Sequence, residues 1–186
     1  MKNTALLLVD FQNDYFSSFK DAKFPLENSE EASLNAKLIL DIFRQKQFEV
    51  IHVFHENESL DARFFAKGTS GAKIYSLLSP LKNEKVISKN RPNSFLDTDL
   101  KEYLDENEIN TLVIVGAMSH MCIDATVRAA KDFGYNCIVV SDACATKELE
   151  YDKIKIPAKY VHGTIMSALE FAYANVTDTK NILEGL

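Results

Sequence analysis

The chain has no run of apolar residues long enough to cross a membrane as a helix. Its first apolar stretch, Ala5 to Val9, stops at an acid, Asp10, far short of the ~20 residues a span requires. No basic-then-apolar leader stands at its start, so membrane association and export are not expected. Positive charge is also in deficit. At a net charge of −6, the surface repels phosphates, which argues against a binder of nucleic acid or of anionic membranes. The three cysteines, Cys122, Cys137 and Cys144, cannot all pair within one chain. The expectation is a cytoplasmic protein with free thiols, in which any thiol that matters does so by its reactivity. Internal repeats and low-complexity segments are lacking as well.

What is present suits one globular domain over residues 1–186, a length that can bury a substantial core without disulfides or metal. Apolar runs of strand length alternate with segments of helical period. Ala5 to Val9, Val50 to Phe54, Lys85 to Ser88, Leu112 to Val115 and Cys137 to Val140 read as strands, with a weaker one near Asn175 to Thr179. Between them, Ser29 is placed to cap a helix with Glu30 and Glu31 in its first turn. Leu34, Leu38 and Ile42, with Ile39 beside them, give that helix an apolar face. A brief helix is expected around Leu100 to Leu104, another from Cys122 to Phe133 ended by Gly134, and a last long one from Lys159 to Tyr173. Residues 55–83 form a long connection with a short helix near Ala72 to Leu78, and long connections often wall or cover a site. Strands apolar throughout and separated by helices indicate a mostly parallel sheet covered on both faces, a three-layer αβα Rossmann-like sandwich of the α/β class.

In such folds, reactive groups stand at the carboxyl ends of the strands. Three places qualify. Asp10 follows the first strand and opens the polar loop Asp10-Phe11-Gln12-Asn13-Asp14; alone it could be a turn acid bonding backbone amides. Lys89 follows the third strand and alone would be a solvated lysine. Cys122 follows Gly116-Ala117-Met118-Ser119-His120-Met121 at a helix start, where unpaired N–H groups and the helix dipole favour a thiolate and can hold an oxyanion. Alone it could be an inert buried thiol, the reading that suits Cys137. Acid, cation and thiol fall at one edge of one sheet.

The order of these pieces resembles the isochorismatase-like cysteine hydrolases, which include nicotinamidases and related amidases. The resemblance is carried by Leu6-Leu7-Leu8-Val9-Asp10-Phe11-Gln12-Asn13-Asp14-Tyr15-Phe16, by Lys89 with Pro92-Asn93-Ser94-Phe95 and Thr98-Asp99-Leu100, and by Val115 to Thr126 with Arg128-Ala129-Ala130 and Gly134-Tyr135. Asp142-Ala143-Cys144-Ala145-Thr146 continues it. It implies a sheet of about six strands and a catalytic triad of Asp10, Lys89 and Cys122. It also implies a cis peptide between Ala117 and Met118, with the Met118 and Cys122 N–H groups as oxyanion hole. Members hydrolyse nicotinamide, other amides, carbamoyl-type groups or the vinyl ether of isochorismate. A small amide-type substrate and a thioester intermediate are therefore expected, with vinyl-ether hydrolysis or a non-catalytic binding protein as the other readings. Candidates to line the pocket are Phe16, Phe65, Arg91, His120 and His162. Members commonly assemble as dimers or tetramers, so a homo-dimer or homo-tetramer is expected, with no cofactor.

One further deficit concerns metal. Nicotinamidases resembling this chain place an Asp and two His on the loop after the second strand. Here that loop reads Val53-Phe54-His55-Glu56-Asn57-Glu58-Ser59-Leu60-Asp61-Ala62-Arg63-Phe64-Phe65, with one histidine. Glu56, Glu58 and Asp61 offer oxygen ligands for a weakly held hard cation, but a transition metal wants more imidazole or thiolate than the loop supplies. Metal analysis of the purified protein should find no stoichiometric zinc or iron, and activity should survive exhaustive chelation. Activity lost to a chelator and restored by zinc or iron would overturn this expectation.

Overall fold

The computed structural model describes residues 3–59 and 61–185. In chain order the elements are β1 (Thr4–Val9), α1 (Ser29–Gln45), β2 (Glu49–His55), β3 (Lys85–Lys89), α2 (Leu100–Glu106) and β4 (Thr111–Ala117). Then follow α3 (Asp124–Asp132), β5 (Asn136–Ala145), β6 (Leu149–Tyr151), β7 (Ile154–Ile156), α4 (Ala158–Ala172), β8 (Asn175–Thr177) and α5 (Thr179–Gly185). Short 3₁₀ turns lie at Asn13–Tyr15 and Ser76–Leu78, and a π turn at Ser119–Ile123 runs into α3. Six strands form one sheet in the order β3-β2-β1-β4-β5-β8, every neighbouring pair parallel.

Strand period sorts the central side chains into two layers. Leu6 and Leu8 of β1 face Ala32, Ala36, Ile39, Leu40 and Phe43 of α1. Ala5, Leu7 and Val9 face the opposite side, with Leu100 and Leu104 of α2, Val127 and Ala130 of α3, and Met166 and Leu169 of α4. This is the expected three-layer sandwich, with both faces of the sheet covered. Strand order reverses at β1, which lies between β2 and β4, and this opens a crevice at the carboxyl ends of the central strands. Gly116 makes the crevice floor possible. It pairs with Val9 at φ 140°, and a Cβ there would stand 2.0 Å from the Val9 carbonyl oxygen.

Several local expectations need correcting. The buried face of α1 is not the leucine stripe: Leu34 and Leu38 are 58% and 52% exposed. The helix instead presents Ser29, Ala32, Ser33 and Ala36, whose small side chains admit close approach to the sheet, and Ile39, Leu40 and Phe43, which fill its far half. Asn28, left-handed at φ 59°, holds the cap position. Ser29 is already helical and donates to the Leu26 carbonyl at 3.2 Å. The helix expected to begin at Cys122 starts earlier, in the π turn from Ser119. Lys89 is the last residue of β3 rather than the residue after it. The β6–β7 hairpin went unread because its turn, Asp152-Lys153 with φ of 48° and 63°, lacks the glycine that marks such turns. The last long helix, α4, lies where it was expected, but the short α5 after it was not; its single buried apolar residue, Ile182, gives no readable period.

Away from the crevice, α1 is tied to the sheet through Glu84. Arg44 donates to both its carboxylate oxygens at 2.7 and 2.9 Å, the Leu81 N–H donates at 2.7 Å, and His52 Nε2 lies at 3.0 Å. Burial alone would raise this carboxyl, but the bonds from Arg44, Leu81 and His52 and the Arg44 charge hold it at about 2. A depressed acid stabilises the fold above its unfolded pKa and loses that contribution as pH falls toward the folded value. Glu84→Gln should therefore cost about 2–3 kcal/mol at neutral pH. The gap to wild type should close between about pH 4.5 and 2, as read by urea unfolding at several pH values. A gap independent of pH would show that the carboxylate's charge is not what matters.

Candidate active site

Asp10 leaves β1 with φ 54° in the left-handed region, its N–H bonded to the Val53 carbonyl at 2.9 Å. Aspartate tolerates that conformation better than most residues, yet holding it there still costs of order 1 kcal/mol. The turn points the carboxylate inward, where it is fully buried. Lys89 lies two strands away at the end of β3, and its side chain passes the end of β2. The Lys89 ammonium then donates to Asp10 Oδ2 at 2.8 Å, to Cys122 Sγ at 3.2 Å and to the Arg91 carbonyl at 3.1 Å. Its Nζ also lies 3.5 Å from His55 Nδ1.

Cys122 enters from the π turn after β4. Such turns are rare and recur at functional sites. This one gathers the Met121 and Ile123 N–H groups onto the Met118 carbonyl at 3.0 and 3.2 Å. The Ala117–Met118 peptide bond is cis. Asp10, Lys89 and Cys122, separated by up to 112 positions in sequence (122 minus 10), thus form one buried cluster.

The electrostatics correct one expectation. Burial pushes the Cys122 thiol up, and the Asp10 carboxylate pushes it further, so that Lys89 and the helix start do not make a resting thiolate. Burial likewise raises Cys137 to about 11 and Cys144 to about 12. Cys122 is distinguished from them by its neighbours, not by its ionisation. Burial alone would pull the Lys89 ammonium down, but Asp10 and the Cys122 sulfur hold it above its ordinary value. The neutral-thiol, ammonium and carboxylate state carries no net charge. Within it, Asp10 Oδ1 is buried without a hydrogen-bond partner. A buried acceptor left open in this way is a place for a proton or a substrate atom to arrive.

Two side chains of the loop after β1 hold the cover in place. Gln12, fully buried, accepts from the His55 N–H at 2.7 Å and donates to the His55 and Ala72 carbonyls at 2.8 and 2.6 Å. It ties the start of the long connection to its middle. Asp14 accepts from the Phe65 N–H at 2.7 Å and the Lys23 N–H at 3.1 Å. It packs where a Cβ on Gly71 would stand 2.2 Å from its Oδ1. Phe65, held at φ 56°, lies over the crevice with its ring 6.2 Å from His55 and 4.5 Å from Tyr15.

The other candidates separate. Phe65 belongs to this cover. Phe16 is fully buried and stacks on Tyr75 at 3.8 Å, so its neighbour Tyr15 is the aromatic that faces the cluster. Burial first, then the Asp10 charge, holds the Tyr15 phenol well above its ordinary value. Arg91 contributes its carbonyl to Lys89 while its side chain is exposed. His120 bonds Thr146 Oγ1 at 2.7 Å, and His162 bonds Ser119 Oγ at 2.9 Å, so both brace the π turn. Gln12, Asp14 and Tyr15 were not singled out from the sequence, although they share one short segment with Asp10.

Asp10, His55 and Cys122 place ligand atoms within 4.8 Å of one another. The Lys89 ammonium, however, bonds two of them and approaches the third, so a metal cation there would meet a fixed like charge. The residues do not fit a metal.

Among the described residues, no helix is long and apolar enough to cross a membrane. The Isochorismatase domain model matches residues 4–167. An uncharacterized isochorismatase family protein of Bacillus subtilis, YddQ, is 46% identical, covering 97% of this chain and 99% of that one. A solved structure of the isochorismatase hydrolase type from Oleispira antarctica is 51% identical, with a TM-score of 0.95, covering 99% of this chain and 97% of the other. A streptothricin hydrolase of Streptomyces noursei is 28% identical over 78% of this chain and 50% of its own length.

The raised thiol makes a measurable prediction. Cys122 alkylation by iodoacetamide should keep accelerating through pH 9 rather than levelling there. Lys89→Met should slow it about tenfold at pH 8, and Asp10→Asn should shift the profile to lower pH, since one pKa unit is a factor of about ten. A plateau below pH 7 would restore the resting thiolate.

Proposed function

This chain belongs to the isochorismatase family, and we propose that it is a cysteine-dependent hydrolase of an amide-type C–N bond in a small molecule. The observation that carries the reading is the buried contact of carboxylate, ammonium and thiol, with one carboxylate oxygen left open. That arrangement suits a thiol that ionises as it attacks, because a base stands ready for its proton.

As Cys122 Sγ attacks the substrate carbonyl carbon, the thiol proton passes to Asp10 Oδ1 and the C=O electron pair moves to oxygen. In this reading, the Met118 and Cys122 N–H groups hold the oxyanion. The tetrahedral adduct collapses, the C–N bond breaks, and Asp10 returns the proton to the leaving nitrogen. A thioester remains. Asp10 then takes a proton from water, whose oxygen attacks the thioester carbon. The C–S bond breaks, the sulfur regains its proton, and the acid leaves. Lys89 stays charged throughout and holds Asp10 and the sulfur in register. The hydrolase reading is further supported by the streptothricin hydrolase among the relatives, and amide cleavage is preferred to vinyl-ether hydrolysis because the thiol is built into the cluster.

Ammonia release across a panel of small primary amides tests the reading, with wild type, Cys122→Ala and Asp10→Asn. Both variants should lose at least about a thousandfold in rate. Replacing the buried thiol by a methyl should cost only about 1 kcal/mol of stability. A well-folded Cys122→Ala protein that keeps several per cent of the activity would sink the covalent mechanism. Nicotinamide should be a poor member of the panel.

A further inference from the structure

Loops from the carboxyl ends of four strands meet above the cluster. Here Phe24, from the loop after β1, stacks on Phe64 at 4.5 Å and lies 6.3 Å from Tyr15. Lys147, from the loop after β5, sets its ammonium 4.2 Å from the centre of the Phe24 ring, and the Arg63 guanidinium lies 5.7 Å from the same centre. Lys147 also reaches the far side of the rim, where its charge, after burial, helps pull the His120 imidazole down.

Several carboxylates around this rim are committed elsewhere, while Glu27, bridged to Thr146 beside Lys147, is exposed to solvent. Asp14 is spent on the Phe65 and Lys23 N–H groups, Glu30 on Ser17 and the Ser18 N–H, and Asp124 on Arg128. Glu148, next to Lys147 in sequence, pairs with Lys155. Among the described residues, neither Arg63 nor Lys147 has an ion-pair partner, in a chain of net charge −6. The opposite flank differs in sign. A hollow of about 90 Å³ beside Lys89 is lined by Glu56, Glu58 and Asp97, with Lys67 paired to Glu58. An anion is repelled from that flank and drawn to the Phe24 side.

We propose that Arg63 and Lys147 form a subsite for the carboxylate of an acidic amide, which enters with its amide toward Cys122 and leaves its anion at the rim. The proposal rests on the amidase reading for the amide end only. Half-buried Lys147 and exposed Arg63 lie over one aromatic ring without ion-pair partners among the described residues, so an anion can accept from both, and each charge-assisted contact is worth about a tenfold change in affinity or more.

The substrates for the test are succinamate, glutaramate and adipamate against the uncharged amides butyramide, pentanamide and hexanamide. Wild type should release ammonia from at least one acidic amide with a KM about tenfold below that of its neutral counterpart. Lys147→Met keeps the aliphatic stem on Phe24, and Arg63→Gln keeps a polar side chain. Each should raise KM for the acidic amide about tenfold while kcat and the neutral-amide KM stay within about twofold. A direct measurement runs without turnover: calorimetric titration of succinate, glutarate and adipate, the corresponding products. At least one should bind wild type and weaken about tenfold in each variant. No dicarboxylate binding, or binding unchanged in both variants, overturns the subsite. If dicarboxylates bind through Lys147 and Arg63 while no amide is hydrolysed, the subsite stands and the amidase reading falls.

Discussion

The ion pair between Lys89 and Asp10 is the contact on which the rest of the site depends. Both side chains are fully buried. Taking two such charges out of water costs several kcal/mol per ion, returned only if geometry is good and remaining hydrogen-bond capacity is used. The fold meets that condition from backbone and neighbours. The Arg91 carbonyl and the Cys122 sulfur take the other ammonium protons, and the left-handed turn at Asp10 brings the carboxylate to the one spot where a lysine two strands away can reach it. Removing either partner leaves an uncompensated charge in the floor of the crevice. The pair therefore constrains β1, β2 and β3 at their carboxyl ends, and through Cys122 it also constrains the π turn.

A second set of bonds carries this order outward. Gln12 and Asp14 make no contact with the thiol among the described hydrogen bonds, yet they determine where the cover lies. Both use side-chain groups to satisfy backbone N–H and C=O groups of the long connection. A buried loop otherwise leaves those groups unpaired, at a cost comparable to a lost hydrogen bond each. This is why a connection of irregular conformation packs over a buried cluster, and why Phe65 is held in a backbone conformation unusual for a bulky residue. The same economy bears on the rim: with Asp14, Glu30, Asp124 and Glu148 bonded elsewhere, half-buried Lys147 and exposed Arg63 have no ion-pair partner among the described residues.

The sheet and the three chemical positions were legible in the sequence for a simple reason. Strands buried on both faces are apolar throughout, and the polar residue ending such a run marks a strand's carboxyl end. Asp10 after Val9 is visible in that way; Lys89 is less so, because β3 is an edge strand with Val86 and Ser88 exposed, and Lys89 is its last residue. What was not legible depends on which of two plausible faces is buried. The leucine stripe of α1 has ideal helical spacing, yet a neighbouring stripe with Ala32 and Ala36 faces the sheet, because close approach outweighs larger side chains held farther off. Phe16 and Tyr15 pose the same choice one residue apart. A 3₁₀ turn at Asn13–Tyr15 decides it, and no periodicity announces so short an element. The hairpin turn at Asp152-Lys153 and the short helix α5 were missed for want of a glycine and of a readable period.

The least legible property was the state of the thiol, and the reason is quantitative. A helix start offers a thiolate roughly 0.3–1 kcal/mol at exposed sites and up to about 2 in buried ones. Burial beside a carboxylate acts in the opposite sense with a larger amount, since a fully buried group can shift by 3–5 pKa units. Sequence position displays the first term; the second appears only when the chain is folded and Asp10 stands next to Cys122. The two terms need not conflict in the proposed reaction. A thiol kept neutral at rest leaves the cluster without net charge and resistant to adventitious oxidation, which needs the thiolate. When a carbonyl carbon arrives, the negative charge need not reside on sulfur, because it moves to the oxyanion while the proton moves to Asp10. Ionisation is then coupled to substrate entry, and the buried pair serves as the base and the fixed counter-charge for that single step.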